Sequence, residues 1–549
     1  MSARGRLACL GAVGAAAVLL FWLYWRQAAT IWISSDGASN ALQAWDMLHG
    51  NAALHGWWLS DVSFYTTELP EYALVEAVRG LNPQVIQACA ALTYTLLVVF
   101  TGLLGMTTAG SPRQKLARGL LAAGIVLAPS AILGTPMLIS SPNHTGTAVP
   151  LLLTLLLMDF APQGFAPHHC ARQWARWWMA PLAVGLLLAW VQVADQVALY
   201  AGAIPVAMVC GLRWAWQRWR GPLGAADGAE RLDLAFAVAA AASVPLALAA
   251  LRVIRALGGF YVHPVAGGLF APLSQLGSHA RLLGESVLAL FGANFYTSGE
   301  SGALRAIALV HLAGVAVVAL GLVVAARLLL AGRLDRVSSV LLAGILIVLA
   351  AGLLSTHMTD VLSAHEIDAI TPFGAALTGR IVGGWLARPR RAALLAAGLA
   401  AYLAFLCYDG TLPLYGKYYQ PVANWLVAHN MRDGLALYWQ SDVMTLATDG
   451  RVTVAPVTLD NGGAAYHWES KAGWFDPGTR YANFMITVPW PTDGSGTSDT
   501  ERARALFGPP TRVYRVDGWD IQVWNHNLLP QVSHATQAAL GRSGSQHGG

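Results

Sequence analysis

Ile33-Ser34-Ser35-Asp36-Gly37 follows an apolar run from Leu7 to Tyr24 and opens a polar loop covering residues 30–83. A helix needs about twenty apolar residues to cross the hydrocarbon core, so the run before this stretch reads as a first membrane span. Arg4 and Arg6 precede it, and Trp22, Tyr24, Trp25 and Arg26 mark an interfacial end. The run is long for the core of a cleaved signal, so the span is read as uncleaved. Asp36 is therefore a carboxylate placed just outside the first span, under a large loop.

The rest of the chain agrees with a membrane setting. Of 549 residues, 56% are hydrophobic and only 11% are charged. Soluble proteins carry about 25% charged residues. The net charge of +5 comes from arginines clustered in short loops, which reads as topology and excludes nucleic acid as a partner. The five cysteines, Cys9, Cys89, Cys170, Cys210 and Cys407, form no CxxC or zinc spacing, so no disulfide framework is expected.

The hydropathy pattern predicts about eleven spans, near 7–25, 84–106, 119–139, 146–160, 179–194, 197–212, 232–254, 306–330, 337–355, 370–387 and 391–408. Segments 179–194 and 197–212 read as two tilted spans or one re-entrant hairpin, with Asp195 and Gln196 between them. Basic residues fall on every second connection. Arg113, Lys115 and Arg118 follow span two, and Arg172 and Arg176 follow span four. Arg213, Arg218, Arg220 and Arg231 follow span six, Arg327, Arg333 and Arg336 span eight, and Arg388, Arg390 and Arg391 span ten. Positive loops face the cytoplasm. The N-terminus is then cytoplasmic, and segments 30–83, 140–145, 256–305, 356–369 and 409–549 lie outside.

Three parts follow: a transmembrane unit over 1–408 with external loops 30–83 and 256–305, an external α/β domain over 409–532, and a disordered tail over 533–549. Val422–Met431 has helical spacing, Gly434–Trp439 reads as a strand, Asp442–Thr448 as a short helix and Val452–Val457 as a second strand. Arg512–Val516 and Trp519–Trp524 flank Asp517-Gly518, a hairpin turn pair that tolerates positive φ.

Several residues are candidates for chemistry, each with a structural alternative. Asp36 suits a general base that takes a proton from an acceptor hydroxyl, or it caps a helix starting near Ala38. Glu68 and Glu71 flank Pro70. They favour a helix N-terminus, or they orient an acceptor or a divalent ion such as Mg²⁺ or Mn²⁺. His365, Glu366 and Asp368 lead into Arg380, which lies mid-span. Arg380 pairs with phosphate or snorkels to an interface. Arg252 and Arg255, at the outer end of span seven, bind phosphate or anchor lipid headgroups. Asn143, His144, Asp195, Gln196, His263 and His279 are further external polar groups. Trp57 and Trp58 stack on sugar rings, or they serve as interfacial anchors or core. No HExxH, GxSxG or P-loop pattern is present, which argues against a metalloprotease, a serine hydrolase and an ATPase.

The order of one span, a long external loop with an early aspartate, about ten more spans and an external C-terminal domain resembles the GT-C superfamily, integral-membrane glycosyltransferases that use polyprenyl-phosphate-linked sugars. Asp36 in Ser35-Asp36-Gly37 and the acidic Glu68-Leu69-Pro70-Glu71 carry the resemblance. Many members have two adjacent acids in the first loop; here Gly37 takes the second place. The oligosaccharyltransferase WWDYG signature is missing, which argues against that branch.

The resemblance implies a bacterial inner-membrane enzyme that transfers a sugar with inversion to an external polysaccharide, lipid or protein hydroxyl. Asp36 would be the base. Arg252, Arg255, His365, Arg380 or a divalent ion would neutralise the leaving lipid phosphate. Two other classes compete with this expectation. A transporter or flippase of a lipid-linked solute should show paired repeats and midplane charges, whereas this chain shows no evident repeat and puts its polar mass on one face. An envelope scaffold or sensor would use Asp36 only as a cap.

Overall fold

The computed structural model describes residues 3–130, 133–161, 171–220, 228–264, 270–296, 302–491 and 496–546. Helix α1 (Ala3–Ala28) is the first long apolar helix, with Arg26 in its last turn. A polar segment then carries α2 (Ser35–Leu48), strand β1 (Trp57–Leu59) and α3 (Leu69–Arg79). The helical body continues with α4 (Gln84–Met106), α5 (Pro112–Ile125), the short α6 (Gly134–Leu138), α7 (Thr145–Asp159), α8 (Ala171–Ala194), α9 (Ile204–Arg220) and α10 (Gly228–Ala256). After β2 (Tyr261–Val262) come α11 (Leu276–Leu290), α12 (Gly302–Leu330), α13 (Arg336–Leu354), α14 (Ile370–Val382) and α15 (Pro389–Asp409).

Among the described residues six helical segments are long and apolar enough to cross a membrane: Gln84–Met106, Leu199–Trp219, Ala229–Ala256, Gly302–Leu330, Arg336–Leu354 and Pro389–Asp409. Thr145–Asp159 and Trp178–Ala194 are shorter apolar helices. Their buried faces share one core that includes Tyr24, Tyr94, Leu152, Phe236 and Phe373. The expected third span is broken: α5 stops at Ile125, ahead of Pro129, and α6 resumes at Gly134. Within residues 179–212 the chain turns once: α8 ends at Ala194, before Asp195, and a turn of π-helix (Leu199–Ala203) leads into α9. Arg172 and Arg176 fall in the first turns of α8 and not in a loop. Their side chains and those of Arg4 and Arg6 lie outside the described residues, as does Cys170.

The C-terminal domain holds α16 (Gln420–Ala428), β3 (Asp433–Ala436), α17 (Tyr438–Ala447), β4 (Thr453–Thr458), β5 (Ala464–Ala465), β6 (Ser470–Lys471), β7 (Ala482–Thr487), α18 (Asp499–Phe507), β8 (Arg512–Val516), β9 (Trp519–Val523) and α19 (Leu529–Gln546). Its six-stranded sheet has the order β5-β4-β3-β7-β9-β8. The β3–α17–β4 crossover is parallel, as the sequence rhythm predicts. Asp517 and Gly518, at φ 49° and 86°, turn β8 back along β9. The expected disordered tail is corrected: 533–546 lie in α19, and 547–549 lie outside the described residues. Leu528, Leu529 and Val532 are fully buried at the start of this helix, and Thr536 Oγ1 accepts from the Ala465 amide, so tertiary contact supplies what composition does not.

A second, small sheet ties the polar segments together. β1 pairs in parallel with β2 and antiparallel with β6. The loop after α1, the loop after α10 and the C-terminal domain thus meet on one face of the helical body. A separate core cluster lies beneath this junction, including Leu54, Trp57, Leu59, Leu69, Tyr72, Phe260 and Leu435.

Candidate functional site

Asp36 sits in the first turn of α2. The cap of that helix is Ser34, whose Oγ accepts from the Gly37 amide at 3.1 Å. The capping alternative for Asp36 is therefore removed. Gly37 is fixed by packing: a Cβ there would meet the Ser141 carbonyl oxygen at 2.6 Å and the Ile86 side chain. This close approach explains why no second acid follows Asp36. Tyr438, at the start of α17, donates its hydroxyl to Asp36 Oδ1.

Asp36 lines a cavity of about 230 Å³ between the end of α1, the start of α4, the 136–143 segment and Trp439 of the C-terminal domain. Ile31, Ile33, Ile86 and Met137 give it apolar walls, and Asn143 and His365 add polar ones. Burial raises the Asp36 carboxyl above its ordinary value; the Tyr438 hydroxyl and the charge of His365 partly oppose the rise.

A histidine–carboxylate cluster borders this cavity. His144 Nδ1 is 2.7 Å from Asp195 Oδ2, and its Nε2 is 3.6 Å from Glu366 Oε2. His365 Nδ1 donates to the Leu362 carbonyl at 2.7 Å, and its Nε2 is 3.7 Å from Glu366 Oε1. The two rings stack, with centroids 5.6 Å apart. Burial alone would lower His144, but the charges of Asp195 and Glu366 outweigh it and raise it to about 10. Burial, together with the charge of His144, lowers His365. His144, Asp195 and Glu366 also line a second cavity of about 270 Å³, with Asp61.

The ligand atoms of His144, His365 and Glu366 lie within 4.8 Å of one another. Each imidazole spends Nδ1 on the protein and turns Nε2 toward the same carboxylate. Such a partner on Nδ1 fixes the tautomer and the ring orientation of a metal-binding histidine. Two imidazoles and a carboxylate suit Zn²⁺ or another transition ion, including Mn²⁺, better than the oxygen-seeking Mg²⁺.

The expected acceptor- or metal-orienting acids lie elsewhere. Glu68 is buried and accepts from the Asn143 amide at 3.0 and 3.1 Å and from Ser141 Oγ at 3.2 Å. Burial and the neighbouring Glu71 hold its carboxyl well above the usual range. A Cβ on Gly146 would strike the Glu68 side chain at 2.6 Å, so Glu68 clamps the 141–146 turn from behind. Glu71 accepts from Thr93 Oγ1 at 2.6 Å, and burial pushes it up to about 7.

Three of the four expected phosphate partners are also placed apart from Asp36. Arg380 is enclosed by protein: Asp159 at 2.8 Å, Asp335 at 2.9 Å and Ser338 Oγ at 3.0 Å. From the last turn of α14 it locks that helix to the end of α7 and the start of α13, and it does not line the Asp36 cavity. Arg252 is exposed on α10. Arg255 lies over the Tyr261 ring at 4.4 Å. Neither lines the Asp36 cavity; His365 does.

Trp57 is core, 2% exposed, with its Nε1 donating to Asp46 at 2.8 Å and its ring edge on Trp474. Burying such a side chain contributes about 1.5–3 kcal/mol. Trp58 stacks on His467 at 3.8 Å. Neither ring is offered to a sugar.

The residues that sequence reasoning missed are Tyr438 and Asp61, with Glu366 and His144 noted but given no role. Tyr438 was hidden because Gly434–Trp439 reads as one strand, whereas β3 ends at Ala436 and Tyr438 begins a helix. The signal available for His144 was its clustering with Asn143 at a helix start.

No family model and no curated protein matches the chain. Among solved structures it is similar to the Archaeoglobus fulgidus oligosaccharyltransferase in complex with zinc and sulfate, at 10% identity and a TM-score of 0.48, over 86% of this chain and 67% of that one. It is also similar to ArnT from Cupriavidus metallidurans bound to undecaprenyl phosphate, at 14% identity and a TM-score of 0.40, over 95% of this chain and 98% of that one.

Proposed function

We propose that the chain is an inverting glycosyltransferase of the bacterial inner membrane. It moves a sugar from a polyprenyl-phosphate donor to a hydroxyl on an extracytoplasmic acceptor. The observation that carries this reading is the position of Asp36: a carboxylate in a cavity lined both by apolar side chains such as Ile31, Ile33, Ile86 and Met137 and by polar ones such as Asn143 and His365.

In this reading Asp36 takes the proton of the acceptor hydroxyl as its oxygen bonds to the anomeric carbon. The bond from that carbon to the phosphate oxygen breaks, and its electron pair leaves with the lipid phosphate. Tyr438 fixes the Asp36 carboxylate while it waits. The isoprenoid chain lies against Ile31, Ile33 and Leu362. His365 faces the same cavity and meets the leaving phosphate. His144, His365 and Glu366 would hold a divalent ion, which when bound supplies positive charge beside that phosphate. Glu68 acts at one remove, by holding the turn that carries Asn143 and His144.

Proteoliposomes containing the full chain test the reading. Given a polyprenyl-phosphate sugar labelled in the sugar and an acceptor extract, they are expected to form a glycoside of opposite anomeric configuration. Movement of intact donor across the bilayer with no glycoside formed would replace this reading with a flippase.

A further inference from the structure

A larger cavity lies in the helical body, apart from Asp36. Helices α5, α12 and α15 and the turn after α14 enclose a groove of about 830 Å³. Its walls are apolar side chains such as Leu121, Val317, Leu395 and Leu399. One end carries Arg388 and Arg391, with Trp385 beside them, and the other is closed by Tyr402. A Cβ on Gly314 would meet the Tyr402 hydroxyl at 2.5 Å, so the closure is tight.

Both arginines are exposed. Among the described residues no carboxylate lies within ion-pair distance of either, whereas Arg213, Arg336 and Arg380 all have partners. Trp385 is 58% exposed at the same level, as an aromatic at a headgroup boundary would be. From Arg391 to Tyr402 α15 rises about 16 Å, at about 1.5 Å per residue. One leaflet of hydrocarbon is about 15 Å deep, half of the whole core. The groove therefore matches one acyl layer with a cationic rim.

We infer that this groove binds an anionic phospholipid from one leaflet, its acyl chains between α5, α12 and α15 and its phosphate on Arg388 and Arg391. Basic pockets between membrane helices recognise anionic headgroups in this way.

Native mass spectrometry of the full chain in detergent, with phosphatidylglycerol or phosphatidylcholine added, tests the site. The unmodified protein should retain phosphatidylglycerol in preference to phosphatidylcholine. Each lost cation should weaken phosphatidylglycerol about fivefold, and Arg388→Gln with Arg391→Gln together up to about thirtyfold. Arg390→Gln, exposed on the same turn but outside the groove, should change nothing. Gly398 lines the groove and has open space where a side chain would go, so Gly398→Leu should fold and displace the chains of both lipids. Equal retention of the two lipids, a preference unchanged in the arginine variants, or binding unaffected by Gly398→Leu would each overturn the assignment. If the double variant is not recovered folded, the single variants and Gly398→Leu decide it.

Discussion

The Tyr438 hydroxyl donates to Asp36 Oδ1 across 402 residues of sequence. A residue of the C-terminal domain thus completes the surroundings of a carboxylate that belongs to the first loop. The backbone carbonyl of Tyr438 also accepts from Ser35 Oγ, so α17 is held against the start of α2 by two bonds at one point.

This bond has a pH consequence with a definite sign. The hydroxyl stabilises ionised Asp36 and lowers its pKa against the rise caused by burial. Tyr438→Phe removes that help, so the carboxyl holds its proton to higher pH. A base must be ionised to act. The acid limb of kcat/KM should therefore move to higher pH in Tyr438→Phe, with rates converging at alkaline pH. A limb that stays in place or moves to lower pH contradicts the role of Tyr438.

The cluster of His144, His365 and Glu366 should bind a transition ion without any substrate. Elemental analysis of purified protein dialysed against Zn²⁺ or Mn²⁺ should find one ion per chain. His144→Ala and His365→Ala should each lose it, while Asp449→Asn on the domain surface should keep it. Stoichiometric metal retained by both histidine variants would place the ion elsewhere.

Glu68 separates shape from charge. Burial holds its carboxyl well above the usual range, which favours the protonated form, so the uncharged and isosteric Glu68→Gln should keep most activity. Glu68→Ala leaves the Asn143 amide and Ser141 Oγ without their acceptor. That should cost about 1–3 kcal/mol of stability and misplace the turn carrying His144. Thermal melts of the two variants in detergent check the difference; equal losses would show that the charge matters.

Arg380 is expected to matter for folding. Arg380→Met leaves the largely buried Asp159 without its cation, and breaking a buried pair typically costs about 3–5 kcal/mol, while the half-exposed Asp335 adds little because water screens it. A large fall in Tm should accompany any loss of transfer. Lost transfer with Tm unchanged would return Arg380 to the role of phosphate partner.

Much of this architecture was legible in sequence. Long apolar runs gave α4, α10, α12, α13 and α15, because a helix in lipid must satisfy its own backbone and declares itself by length. The Asp-Gly turn and the β3–α17–β4 rhythm were local signals and were visible for the same reason. Asp36 stood out by its place after the first span. The partners of Asp36 were not legible, because they come from α4, the 136–143 segment, the turn before α14 and α17, which only the fold brings together. Arg380 misled for a related reason: its partners Asp159 and Asp335 lie at ends of other helices, and a mid-span arginine looks unpaired until those ends are placed. Trp57 and Trp58 looked like a stacking surface because an exposed loop was expected where β1 is in fact sheltered between β2 and β6.

The central claim rests on the Asp36 carboxylate as the base. Transfer from a polyprenyl-phosphate sugar should be measured in membranes holding equal amounts of the unmodified protein and Asp36→Asn. Loss of a general base lowers the rate by about 10²–10⁴, and that fall is the predicted result. Transfer by Asp36→Asn at the rate of the unmodified protein would contradict the account.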